Sequence, residues 1–332
     1  MIDKYYKLHS SCFIVKGISI GNIYDLRRGS IFFLPNSILD LLENYASKKI
    51  STLLNDYNNQ LELINKYLDF LIENEIIFFT NDLDHFPKIS MSFRKPFRLD
   101  IVLMEIDNLV SHKKNIFQDD MLSEIGCTEL VLISRTNATS NLEKILKTLD
   151  KSKIQSVIYL TDYKDYKPKK VSELTSNYLR LREVLIYNSP KITDKKSNNI
   201  IIFENNNIED LLMRKIKSIN DLVPNLEVYI EAQKHNIFYN RRIYIDNENR
   251  IKHTINQKET YGNISNENIF NIILDKNFNY LWNITKDDII VCKDCQFRYL
   301  CPDNRIPIYD EKNKKYYHIE ECNYNPYTNQ WK

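Results

Sequence analysis

The sequence predicts an α/β protein, and three observations predict it. Apolar runs recur about every 25 to 30 residues through the middle of the chain, with amphipathic segments between them, the pattern of parallel β/α units. The opening residues instead place short strands ahead of a group of helices. The last 41 residues carry four of the six cysteines and little apolar periodicity, so that stretch needs a staple in place of a core.

In the first part, strands are expected at Cys12–Val15, Asn22–Leu26 and Ser30–Leu34, with Arg27, Arg28 and Gly29 as a hairpin turn. Pro35, Asn36 and Ser37 then give a helix start, followed by Ile38, Leu41, Leu42 and Tyr45 at helical spacing. A polar stretch from Ser51 to Asn58 precedes a third helix carrying Leu61, Ile64, Leu68 and Leu71, and Ile76 to Phe79 returns to strand.

Through the middle, strands are expected at Leu99–Ile106, Glu129–Ser134, Ser156–Thr161, Glu183–Asn188, Asn199–Glu204 and Glu227–Glu231. Helices are expected near Phe117–Glu124, Asn141–Leu149, Lys170–Tyr178 and Ile208–Ile219. Whether the strands form an open sheet or a partial barrel is not written in their periodicity. Beyond Ala232 a strand is expected at Arg241–Ile245, a turn at Asn247–Asn249 and a helix at Asn266–Leu274. The expected domains are residues 1–80, 96–231 and 232–332.

Composition narrows the function. Forty-six basic and 44 acidic side chains leave a charge of +2, too little excess for nonspecific duplex binding. Five glycines supply no G-x-G-x-x-G or G-x-x-x-x-G-K-[ST] phosphate cradle. No apolar run approaches the ~18 residues of a membrane span and no secretion signal opens the chain, so a cytoplasmic protein without membrane or nucleic-acid partners is expected.

The cysteines read C-x2-C-x5-C-x20-C at Cys292, Cys295, Cys301 and Cys322. The first pair lies on one tight turn and the later two arrive by chain reversal, which makes four thiolate ligands for zinc or an iron–sulfur cluster. His318 is read as a surface histidine or an outer partner hydrogen-bonded to a ligand or carbonyl, with a place among zinc ligands as the alternative. Cys12 and Cys127 are isolated and read as packed thiols. Glu231 and His235, four residues apart, are read as structural. Ser134, Arg135, Asn188 and Ser189 fall at strand ends, where α/β folds place ligand contacts, but no catalytic residue is assigned.

The run Cys292-Lys-Asp-Cys295-Gln-Phe-Arg-Tyr-Leu-Cys301-Pro-Asp-Asn-Arg305, with Cys322 and Pro326 beyond it, resembles the C-terminal SPASM domain of radical-SAM peptide-modifying enzymes. Cys12 to Gly17, Asp25 to Gly29, Leu34 to Ser37, Ala232 to Arg242 and Tyr261 to Ile264 are similar to the SPASM maturases of "grasp-with-spasm" systems, encoded beside an ATP-grasp ligase and a precursor peptide. The resemblance implies an N-terminal winged-helix-like peptide-recognition domain, a degenerate radical-SAM-like partial β/α barrel and a half-SPASM domain. It also implies one [4Fe-4S] cluster on the four late cysteines, Zn2+ being the alternative. Arg305 stands where a ligand of the second cluster would be.

Residues 107–115, matching the loop that carries the C-x3-C-x2-C motif of radical-SAM enzymes, contain no cysteine, so neither S-adenosylmethionine nor radical chemistry is expected. The function implied is an accessory maturase that binds a precursor (leader) peptide and assists an ATP-grasp ligase. A peptide-modifying enzyme with an unrecognised barrel site and a scaffold metalloprotein are the alternatives, and a homodimer is possible. The leader would add as a strand near Tyr24–Leu26 or Phe32–Leu34, beside the helix at Leu61–Leu71, with Arg27 and Arg28 meeting acidic residues. Glu62, Asp69, Glu73 and Glu75 make that third helix a poor DNA reader.

Overall fold

The computed structural model describes residues 3–95, 98–108, 121–136, 138–193, 200–213 and 215–332. The chain forms two compact units, each drawn from separated segments. One unit takes residues 1–93, 216–237 and 284–332; the other takes 94–215 and 238–283. The three consecutive parts expected from the sequence are thus redistributed, and the N-terminal strands share a unit with the cysteine segment.

In the first unit, β1 (Tyr5–Leu8) pairs with β5 (Ile77–Thr80), while β2 (Cys12–Lys16), β3 (Gly21–Asp25) and β4 (Ser30–Leu34) form an antiparallel sheet with β3 central. The turn into β4 closes with Gly29 at φ +68°, a conformation open to glycine. Helices α1 (Asn36–Asn44), α2 (Ile50–Asp56) and α3 (Leu61–Glu73) follow. Successive side chains of a strand face opposite ways, and all five residues of β3 are buried. Ile23 packs with Leu39, Leu42, Leu53 and Leu71, whereas Tyr24 packs with Tyr229, Phe297, Leu300 and Tyr324. Helices cover one face of this sheet and the cysteine segment covers the other.

The second unit is an open seven-stranded sheet. β6 (Ile101–Glu105), β7 (Glu129–Ser134), β8 (Ser156–Asp162), β9 (Leu181–Tyr187) and β10 (Ile201–Phe203) run parallel in sequence order. β11 (Arg242–Ile245) lies parallel on the far side of β6, and β12 (Ile251–Lys252) closes the sheet antiparallel. The two apolar faces fill separate clusters, one with Val102, Leu130 and Val184, the other with Leu103, Val131 and Tyr187.

One expected strand is corrected. Glu227–Glu231 belongs to a helix, Leu226–Ala232, started by Asn225, whose side chain accepts the Val228 N–H, and burying Tyr229 and Ala232 at helical spacing. The Ile208–Ile219 helix is also shorter than expected, ending at Leu212. Of the expected Phe117–Glu124 helix, residues 117–120 lie outside the described residues, as does the cysteine-free loop from residue 109 onward. A helix is described at Met121–Ile125.

Candidate metal centre

Cys292 follows Val291, whose φ of +70° is strained for a β-branched side chain. That bend starts a single 3-10 turn, Cys292–Asp294, and the Cys295 N–H returns to the Cys292 carbonyl at 3.0 Å. This is how C-x2-C brings two sulfurs onto one turn. The Phe297 N–H donates to Cys295 Sγ and the Tyr324 N–H to Cys322 Sγ, both at 3.4 Å. In each case the donor sits two residues past the sulfur, which stabilises a thiolate.

No disulfide joins these cysteines. Burial pushes the thiols of Cys292, Cys295 and Cys301 up, Cys295 to about 12. Cys322 raises Cys292 further, Cys292 and Cys322 raise Cys295, and Cys292 and Cys295 raise Cys301. Cys292 thus interacts with each of Cys295, Cys301 and Cys322, while among the described residues the tight cluster of ligand atoms is Cys292 with Asp303 and His318 rather than the four sulfurs together.

His318 joins them. Ligand atoms of Cys292, Asp303 and His318 all lie within 4.8 Å of one another, a Cys/Asp/His set with metal-binding geometry. The His318 side chain is 4% exposed, and its Nε2 lies 3.5 Å from Asp303 Oδ2. Burial, aided by Lys286 and Arg305, lowers its pKa to about 4, so the imidazole is neutral and ready to bind a metal. Asp303 is already engaged, held well below the usual carboxylate range by Lys286 and Arg305 against the opposing effect of burial. The donor set, unbridged thiols and a buried neutral imidazole, fits a thiolate-held metal; such a group would supply a fixed cross-link among the loops at Cys292, Cys301 and Cys322.

The other cysteines stand apart from this site. Cys12 and Cys127 are buried, and burial raises their thiols to about 11 and 12. His235 packs its ring 5.6 Å from Phe93, and its N–H returns to the Glu231 carbonyl within the helix end.

In the sheet unit, polar side chains gather at the carboxyl ends of β6, β7 and β11. Arg135 bridges Glu105 at 2.9 Å and Glu209 at 2.8 Å, and Glu105 also accepts from the Tyr244 hydroxyl at 2.5 Å. Asp107 accepts from the N–H groups of Arg135 and Thr136 and from the Ser134 hydroxyl at 2.8 to 3.0 Å. Asn188 donates to Asp162 at 2.8 Å. Of this group, the sequence pointed to Ser134, Arg135 and Asn188 by position alone; Glu105 and Asp107 were missed. A carboxylate inside the otherwise apolar run from Ile101 to Ile106 was the available signal.

No family model and no curated protein matches the sequence. Among solved structures, SuiB of Streptococcus suis bound to S-adenosylmethionine matches with 11% identity over 90% of this chain and 94% of that one, at a TM-score of 0.31. Another structure of SuiB covers 89% of this chain at 11% identity and a TM-score of 0.30. The likeness is distant. One expectation is nonetheless corrected by it: a matching structure holds S-adenosylmethionine, so the absence of that molecule is not carried further.

Proposed function

We propose that this chain binds a ribosomally made precursor peptide in extended form and serves its enzymatic modification. The groove beside β4 is the observation that carries the reading. β4 is an outer strand of its sheet. Its Phe33 is 46% exposed, and Leu61 and Leu63 of α3 are 41% and 48% exposed. Phe33, Leu34, Leu63, Lys66, Tyr67 and Phe70 line a groove of about 440 Å³ between strand and helix. An uncovered apolar strand edge beside a helix suits strand addition: backbone hydrogen bonds give affinity, and alternate side chains read the groove. Arg28 is committed to Asp25 and Glu75, which leaves Arg27 to meet an acidic peptide.

Cys292, Cys295, Cys301 and Cys322 are proposed as thiolate ligands of a structural metal centre that ties the C-terminal loops against the sheet carrying this groove. The motif resemblance supports an ATP-grasp ligase as the enzyme acting on the bound peptide. The Arg135 network favours a second reading, in which the modifying site lies in the sheet unit.

Fluorescence anisotropy of a labelled peptide encoded beside this gene tests binding by the full chain. Phe33→Glu and Leu63→Glu should each weaken it by about tenfold or more, the loss of one buried apolar contact. Unchanged affinity in both would sink the groove. Weighing the peptide after incubation with this protein, with and without ligase and nucleotide, separates the two readings of its chemistry.

A further inference from the structure

Behind the cysteines lies a buried ionic group whose charges do not balance. Lys286 Nζ is 2.8 Å from Asp303 Oδ2. On the other side of the same carboxylate, Arg305 donates from Nε to Oδ1 at 2.8 Å and from Nη2 to Oδ2 at 2.9 Å. The side chains of Lys286, Asp303 and Arg305 are 6%, 6% and 15% exposed. Two cations on one carboxylate leave one positive charge in excess. A buried charge without a counter-ion is costly, so an anion is required nearby.

The Cys292 sulfur lies within 4.8 Å of the Asp303 carboxylate, and as a metal-bound thiolate it would be part of that anion. Arg305 also donates from Nη1 to the Glu320 carbonyl at 2.6 Å, so it reaches from the loop of Cys301 to the approach of Cys322. Four thiolates on one dication carry a net charge of minus two, of which the one excess positive charge of this group would offset half.

We infer that Lys286, Asp303 and Arg305 form a buried, net-positive frame that supplies part of the counter-charge of a four-thiolate metal centre. They are positioning residues and not ligands; the inference rests on the proposed metal reading of the cysteines. Arg305 thus has a use of its own at the position where the SPASM pattern has a further cysteine.

The test uses the full chain purified anaerobically, reading metal per chain and the EDTA concentration that strips half of it. Lys286→Met and Arg305→Met should lose their metal at about 10- to 100-fold lower EDTA, the usual effect of removing an outer partner. Lys286→Arg and Arg305→Lys, which keep the charge, should stay within about threefold of wild type. Lys286→Gln, which keeps a hydrogen bond to Asp303 without the charge, provides the neutral arm should a methionine variant not fold. The frame is overturned if the neutral variants hold metal as wild type does, or if the charge-keeping variants lose it as readily as the neutral ones. Wild type that takes up no metal overturns the metal reading and the frame together; loss in Cys292→Ser with none in the neutral variants overturns the frame alone.

Discussion

The hydroxyl of Tyr24, in the central strand of the N-terminal sheet, donates to the backbone carbonyl of Gln296, the residue after Cys295. Asn22 Nδ2 reaches the same carbonyl at 3.3 Å, and Arg298 returns the contact by donating to the Lys16 carbonyl at 2.7 Å. The peptide-groove sheet and the cysteine segment are therefore one folding unit. Tyr24→Phe leaves that carbonyl with the longer Asn22 contact alone, and should cost about 1–2 kcal/mol in urea unfolding. A fragment of residues 1–80 would expose Val15, Tyr24 and Leu26, so it should lack the thermal transition of the full chain.

Removing metal should loosen one region selectively. Chelation, or Cys301→Ser, is expected to raise hydrogen exchange in residues 284–332 and in the β3 face that packs on them, while the sheet of β6 to β11 keeps its protection. Equal loosening in both units would refute a local staple. Colour, iron and sulfide content after anaerobic purification separate zinc from iron–sulfur.

Acid sensitivity has a second source, away from the cysteines. His253 is 3% exposed, stacks at 4.6 Å on Phe278, and is ringed by Tyr239, Tyr261 and Tyr280 with neither nitrogen hydrogen-bonded. Burial lowers its pKa from 6.5 to about 4. Its folded pKa lies below the unfolded value, so its contribution is full above pH ~6.5 and is lost as pH falls toward ~4, on the order of 3 kcal/mol. His253→Phe should flatten the stability–pH curve across that window; a curve parallel to wild type would count against this.

Arg135 holds Glu105, whose side chain is 7% exposed, and Glu209, which is 39% exposed. Arg135→Met removes the cation from the buried carboxylate, which keeps the Tyr244 hydroxyl and the Asn247 N–H. The expected cost is about 2 kcal/mol, below the ~3–5 of a fully buried pair because Arg135 is itself a third exposed. Should the modifying site lie in this unit, the variant would also stop product formation at unchanged peptide affinity.

The local elements were legible in the sequence because their signals are local. The apolar runs in Ser30–Leu34 and Glu129–Ser134 matched those strands to the residue, and the 3.6-residue spacing of Ile64, Leu68 and Leu71 matched α3. Glu227–Glu231 failed because a five-residue window with three consecutive hydrophobic positions fits either period, and Asn225, the cap that decides it, lies outside that window. The C-x2-C turn was likewise readable from spacing.

Tertiary structure alone decided which segments share a core. Whether the second face of β3 meets solvent, a peptide or a cysteine loop is a matter of burial between residues more than 270 positions apart, as Tyr24 and Gln296 are. No periodicity encodes that. Nor does it encode the convergence of Lys286 and Asp303 with Arg305 and His318, since Lys286 and Asp303 look like ordinary surface residues until the chain closes over them.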